Sequence, residues 1–200
     1  MIVVIFGTRP EAIKLGPCVA ALNARHVPHV VLCTNQHDSL LNGTPAQTDL
    51  ANSISLGIPT TGEVVRWPVY AQPVIEAALK QHHARLVVVQ GDTMSAVAGA
   101  RAGASLEIPV AHVEAGIRSG ELDDPWPEEG FRREITSLAT WHYAPTSTAY
   151  DHLMHEGISP DAVLVTGNPI VSAVARYSDA VPVPVADLTV LFTMHRREWR

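Results

Sequence analysis

Short, nearly continuous apolar runs separated by longer amphipathic stretches constrain this chain more than any other feature of its sequence. The runs are IVVIF (2–6), VVLCT (30–34), LVVVQ (86–90), PVAHV (109–113), WHYAP (141–145), VLVTG (163–167) and TVLFT (189–193), and turn residues bound them. Between them, 10–24, 70–82, 93–104, 128–139, 147–156 and 169–177 have the composition and length of helices. A strand that is apolar on successive residues has no solvent face, so it belongs in a sheet covered on both sides. Alternation with helices makes that sheet parallel, because parallel neighbours need a long crossover and a helix is the usual one. The expected class is therefore α/β, a doubly wound parallel sheet of Rossmann-like form. The segment YSDAVPVPVADL (177–188) breaks the rhythm: Pro182 and Pro184 disfavour helix, and polar flanks suit an exposed linker. A first domain is expected over 1–180, with 181–200 supplying the linker and opening strand of a second domain.

Composition narrows what such a sheet serves. With 46% apolar residues over 200 positions the chain can bury a sizeable core. A formal charge of −6 and the lack of a Lys/Arg block argue against nucleic acid or an anionic membrane surface as partner. A small anion held by a few arginines remains compatible. The N-terminal stretch lacks the pattern of a secretory leader, and no apolar stretch approaches the ~20 residues that cross a bilayer, so a cytoplasmic setting is expected. Cys18 and Cys33 fall in an expected helix and strand without CxxC spacing and read as reduced, buried thiols. The ten histidines show no metal-ligand spacing, and His82-His83 read as surface residues of a helix.

In an open parallel sheet, ligands sit beyond the carboxyl ends of the strands. The first strand exits into FGTRPEAIK, where Gly7 permits a tight turn and Pro10 suits the start of a helix whose free amides favour an anion. Arg9 and Lys14 flank that end, either as a phosphate seat or as surface residues of a capped helix. Neither a Walker loop nor GxGxxG is present, so neither ATP nor a nicotinamide dinucleotide is favoured. LVVVQ exits into Gly91-Asp92-Thr93, leaving Asp92 either as a local cap or as a site carboxylate. PVAHV exits into Glu114, a poor capping residue and so a better site candidate. The following stretch HVEAGIRSGELDDPWPEEGFRRE (112–134) crowds Glu114, Glu128 and Glu129 with Arg118, Arg132 and Arg133. Glu128 and Arg132 are four residues apart, which on a helix turns both toward one cleft. Carboxylates brought together raise one another's pKa and serve as general acid and base when arginines offset their repulsion. The alternative is a solvated salt-bridge loop.

FGTRPEAIK, QGDT, HVEAGIRSGELDDPWPEEGFRR, VTGNP and MHRRE resemble, in order and spacing, the non-hydrolysing UDP-N-acetylglucosamine 2-epimerases, whose two-domain fold is of the GT-B type. The resemblance runs from Met1 to about Glu198 and spans about the first half of the family's architecture. It implies that Asp92, Glu114 and Glu128 form the acid/base set, and that Arg9, Lys14 and Arg132 bind substrate and hold the carboxylates. It further implies that His195 lies at the domain cleft near the diphosphate with a part in catalysis. The implied reaction eliminates UDP to a 2-acetamidoglucal and re-adds it on the other face, giving UDP-N-acetylmannosamine without cofactor or metal. The implied partners are a UDP-sugar and either a second copy or a C-terminal half that completes the nucleotide site. PTTGEVVRWPV (59–69) is shorter than the family's loop at an allosteric site, and Asn35-Gln36-His37 keeps only part of that site's motif, so activation by a second substrate molecule is not expected. Two other classes stay open: a hydrolysing relative that releases N-acetylmannosamine, and a non-catalytic nucleotide-sugar-binding module.

Overall fold

A computed structural model describes residues 1–36, 49–59 and 65–177. In chain order these form β1 (Ile2–Phe6), α1 (Arg9–Ala24), β2 (His29–Cys33), β3 (Ile54–Ser55), α2 (Trp67–Gln81), β4 (Leu86–Gln90), α3 (Met94–Ser105) and β5 (Val110–Val113). The order continues with α4 (Glu128–Leu138), β6 (Trp141–Ala144), α5 (Ser147–His155), a 3-10 turn (Pro160–Ala162), β7 (Val163–Val165) and α6 (Pro169–Tyr177). The strands make one parallel sheet in the order β3-β2-β1-β4-β5-β6-β7. From β1 the chain winds outward through β2 and β3, then returns to the other side of β1 and continues through β4 to β7. The reversal between β1 and β4 is the switch point at which helices leave opposite faces and open a crevice beyond the strand ends.

Side-chain alternation explains why the strands read as continuous apolar runs. Val3 and Ile5 of β1 join Leu32, Val87, Val89 and Val110 on the face covered by α2, α3 and α4. Val4 and Phe6 point the other way, joining Val31, Cys33 and, from α1, Ala12, Leu15 and Val19. Each strand thus buries both of its faces, as a doubly wound sheet demands. A smaller cluster of Ala115, Ala144, Ala149, Leu153 and Val163 seats α5 beneath the far strands. Helix α3 lies unusually close to the sheet because it carries Gly99 and Gly103 on its inner side. A Cβ at Gly103 would stand 2.6 Å from Val110 Cγ2, and one at Gly99 would stand 2.9 Å from Val89 Cγ1.

Expected and observed elements differ in instructive places. β3 was not expected, since Ile54 and Ser55 are both exposed and form no apolar run. Helix α2 begins at Trp67, ahead of the expected start at 70, because Pro68 fits its first turn and the fully buried Trp67 donates its indole N–H to Pro59 O at 2.9 Å. Cys33 is buried in β2 and Cys18 half-buried on α1. The expected linker (177–188), the strand at 189–193, the domain boundary near 180 and His195 lie outside the described residues, apart from Tyr177 at the end of α6. No helix among the described residues is long and apolar enough to cross a membrane.

Candidate active site

The turn after β1 is held by a carboxylate. Thr8 caps α1 by accepting from the N–H of Glu11, and Glu11 reaches back to complete a capping box. Glu11 Oε2 accepts from the N–H groups of Gly7 at 3.0 Å and Thr8 at 2.8 Å and from Thr8 Oγ1 at 2.8 Å. Its Oε1 accepts from Thr93 Oγ1 at 2.7 Å. Thr93 in turn caps α3, so one side chain staples the exit of β1 to the exit of β4. Glu11 is fully buried, and that desolvation pushes its pKa up to about 7 against the pull of its donors, Thr93 first. Beside it, Ser95 bonds Thr34 and Gln36, and a Cβ at Gly7 would fall 2.0 Å from Ser95 Oγ, so only glycine lets these turns meet.

From the exit of β4, Asp92 faces α4. Arg132 binds it at 2.6 Å and, with its other terminal nitrogen, binds Glu129 Oε2 at 3.2 Å. Glu129 is fully buried, and it also accepts from Arg133 Nε at 3.0 Å and from the N–H of Ser119 at 3.1 Å, with Arg118 at 4.0 Å. Burial pushes the Glu129 carboxyl up, but the Ser119 amide and the arginines outweigh it and hold it below the usual carboxylate range. Asp92 shows the opposite balance. Desolvation, the largest single cause, raises its pKa, and with the charges of Glu128 and Glu114 it outweighs the pull of Arg132. The expectation that these carboxylates load one another is met at Asp92, although burial is the larger cause. On its own helix Arg132 also grips Glu129, three residues away. Glu128 opens α4 and acts on Asp92 through its charge.

From the exit of β5, Glu114 takes φ +69°, a left-handed conformation that a glutamate seldom adopts and that costs on the order of 1–2 kcal/mol. That turn aims its carboxylate across the sheet ends. Lys14 Nζ from α1 meets Oε2 at 2.6 Å, the Gln90 amide from the end of β4 donates to the same oxygen, and the Asn168 amide donates to Oε1 at 2.7 Å. His112, two residues earlier, binds Gly91 O through Nε2 at 2.8 Å and so ties the β5 exit to the turn that carries Asp92. Burial holds His112 neutral, with its pKa pulled down to about 4.

Lys14, Asp92, Glu114 and Arg132 therefore line one cleft of about 160 Å³ together with Gly91 and Ile117. A larger groove of about 970 Å³ runs along the sheet face flanked by α1 and α6, but its lining is mainly apolar, with Ile2, Val4, Val88 and Ala111 among it. The smaller cleft holds the chemistry. Arg9 is exposed at the start of α1 and does not line it. Sequence reasoning gave no role to Glu11, Gln90 or Asn168, and none to Glu129 beyond its place in the charged stretch. Two of them carried signals: Thr8 to Glu11 spells a capping box, and Gln90 is a polar residue closing an apolar strand.

The profile of the UDP-N-acetylglucosamine 2-epimerase family matches residues 20–200. The chain belongs to that family. It is 35% identical over 182 residues to the UDP-N-acetylglucosamine 2-epimerase of Salmonella typhimurium, covering 90% of this chain and 48% of the relative. To that of Bacillus subtilis it is 34% identical over 208 residues, covering 98% and 54%. Among solved structures, the Methanocaldococcus jannaschii UDP-GlcNAc 2-epimerase in complex with UDP-GlcNAc and UDP superposes with a TM-score of 0.82 at 35% identity, over 90% of this chain and 49% of that one. The chain thus spans about half the length of the family members it matches, and its Rossmann-like sheet corresponds to one half of their GT-B fold.

Proposed function

We propose that this chain carries the N-terminal half of a UDP-N-acetylglucosamine 2-epimerase, interconverting UDP-GlcNAc and UDP-ManNAc. The observation that carries the reading is the pair of opposed carboxylates at adjacent strand exits, Asp92 gripped by Arg132 and Glu114 gripped by Lys14, around one polar cleft. Inverting carbon 2 requires removal of a weakly acidic proton there while the carbon 1 to diphosphate bond breaks, leaving a 2-acetamidoglucal. UDP then re-adds to carbon 1, and a proton returns to carbon 2 from the opposite face. A carboxylate on one side and a carboxylic acid on the other meet both proton transfers. Asp92, whose desolvation favours the protonated form, suits the acid. Glu114, surrounded by donors, suits the acceptor. Glu128 adds negative charge beside Asp92, while Lys14 and Arg132 offset charge that grows as UDP departs. Arg9, exposed at the start of α1, supplies a diphosphate contact through its guanidinium, and His195 joins on the strength of the family resemblance. No nicotinamide, flavin or metal has a part in this scheme. The setting is cytoplasmic, and the assembly is a homodimer or a pairing with the C-terminal half.

The test uses UDP-GlcNAc in deuterated water with the full-length protein and, in parallel, the 200-residue chain. The full-length protein is expected to place deuterium at carbon 2 and form UDP-ManNAc, and the shorter chain to do neither, because remote nucleotide contacts position the reacting centre. Free N-acetylmannosamine as the product would assign the hydrolysing class instead. UDP-sugar binding without exchange would assign the non-catalytic one.

A further inference from the structure

We propose that Asn168 is a positioning residue that fixes the carboxylate of Glu114, an inference that rests on the epimerase reading of the site. Asn168 comes from the turn between β7 and α6, and above it counts only as one of the donors around Glu114. It directly precedes Pro169, the first residue of α6, and its Oδ1 accepts from the N–H of Ile170 at 3.1 Å, the bond of a helix N-cap. That bond settles which way the side-chain amide faces. With the oxygen committed to a backbone donor, the NH2 group is turned toward Glu114 Oε1 at 2.7 Å. The reversed amide would set oxygen against carboxylate and N–H against N–H, so both neighbours enforce the same orientation.

The consequence for Glu114 is geometric. Its Oε2 is shared by Lys14 and Gln90, which alone would let the carboxylate pivot about that oxygen. The contact from Asn168 fixes the second oxygen and hence the plane of the group. Glu114 is thereby held from three elements: α1, the end of β4, and the turn into α6. Placement of the turn is itself specified, since Gly167 takes φ +79° just before Asn168. Correct direction of the carboxylate at carbon 2 matters to the rate because a misplacement of about 1 Å costs up to ~10²-fold.

Substitutions separate this role from helix capping. Asn168→Asp keeps an equally good cap but presents a second carboxylate to Glu114, whereas Asn168→Ser keeps a capping oxygen and loses the amide N–H. In the full-length protein, Asn168→Asp is expected to lower kcat by about 10- to 100-fold and Asn168→Ser by about tenfold, with KM within about threefold of the parent. Asn168→Asp should also lower Tm by about 2 °C at neutral pH, a loss that disappears in a Glu114→Gln background, where the repulsion is gone. Either serine or aspartate variant retaining the parent kcat, or an equal Tm loss in both backgrounds, would overturn the proposal and leave Asn168 as a cap alone. If the parent itself shows no turnover, the epimerase reading fails, and the Tm cycle still decides whether Asn168 engages Glu114.

Discussion

Glu11 and Glu129 are the same residue type, equally excluded from water, and they titrate in opposite directions. Among the described residues Glu11 receives hydroxyl and amide donors and no cation, so desolvation wins and its pKa rises to about 7. Glu129 receives a backbone amide and two arginines, with a third near, and its pKa falls. Burial is common to both; formal charge among the partners decides the sign. The difference matches their tasks. Glu11 staples the exits of β1 and β4 through neutral hydroxyl and amide donors, which leave its own charge a cost. Glu129 anchors Arg132, and through it the orientation of Asp92.

The comparison breaks most visibly at Glu129. Glu129→Gln leaves Arg118, Arg132 and Arg133 facing a neutral amide, and removal of one member of a buried charge network typically costs about 3–5 kcal/mol. Denaturant unfolding at neutral pH is expected to show a loss of that order, with turnover falling as Arg132 loses its anchor. A loss below about 1 kcal/mol would mean that the arginines do not depend on Glu129 for their placement.

Glu11→Gln should behave differently, because the amide can satisfy the same neighbours. Its oxygen can take the three donors at Gly7 and Thr8, and its NH2 can donate to Thr93 Oγ1. The pH dependence is the sharper readout. A carboxylate whose folded pKa exceeds its unfolded value binds an extra proton in the native state between about pH 4.5 and 7. Its contribution is therefore fully present below the unfolded value and is lost as pH rises through about 7, by up to about 3 kcal/mol. Glu11→Gln should flatten the stability profile over that window. An unchanged slope in denaturant melts from pH 5 to 8 would contradict the assignment. The sign for Glu129 is the reverse: its lowered pKa gives stability present above the unfolded value and lost as pH falls through the folded one.

The two glutamates also show how far the sequence could be read. Strands with both faces buried announce themselves as apolar runs, which made the parallel sheet and its exits legible, and with them Asp92, Glu114, Lys14 and Arg132. β3 was not legible because its two residues face solvent and carry no pattern. Partner choice was legible only where local spacing fixes it. Thr8 and Glu11 lie within one helical turn, so their capping box is written in the chain. The bond from Thr93 to Glu11, and that from Asn168 to Glu114, join residues far apart in sequence and exist only after the strands have been ordered. Helical spacing left Glu129 without a role, which only the packing of α4 reveals by turning it inward against Arg132.

The smallest effect is expected where the same buried carboxylate meets solvent. Arg133 binds Glu129 at 3.0 Å, a shorter contact than the 3.2 Å of Arg132, yet its side chain is 45% exposed against 17% for Arg132. Distance alone would rank Arg133 first. Exposure reverses the order, because water screens the outer guanidinium, which already has solvent as an alternative partner, and exposed pairs contribute about 0–1 kcal/mol. Arg133→Gln should therefore cost no more than about 1 kcal/mol in denaturant melts and leave kcat unchanged, since Arg133 has no contact with Asp92 among those the structure shows. Arg132→Gln should cost more and lower kcat, because Arg132 bridges Glu129 to Asp92. Equal losses from the two substitutions would mean that Glu129 senses its arginines as a uniform cloud of charge, and that the bridge to Asp92 does not depend on which guanidinium is buried.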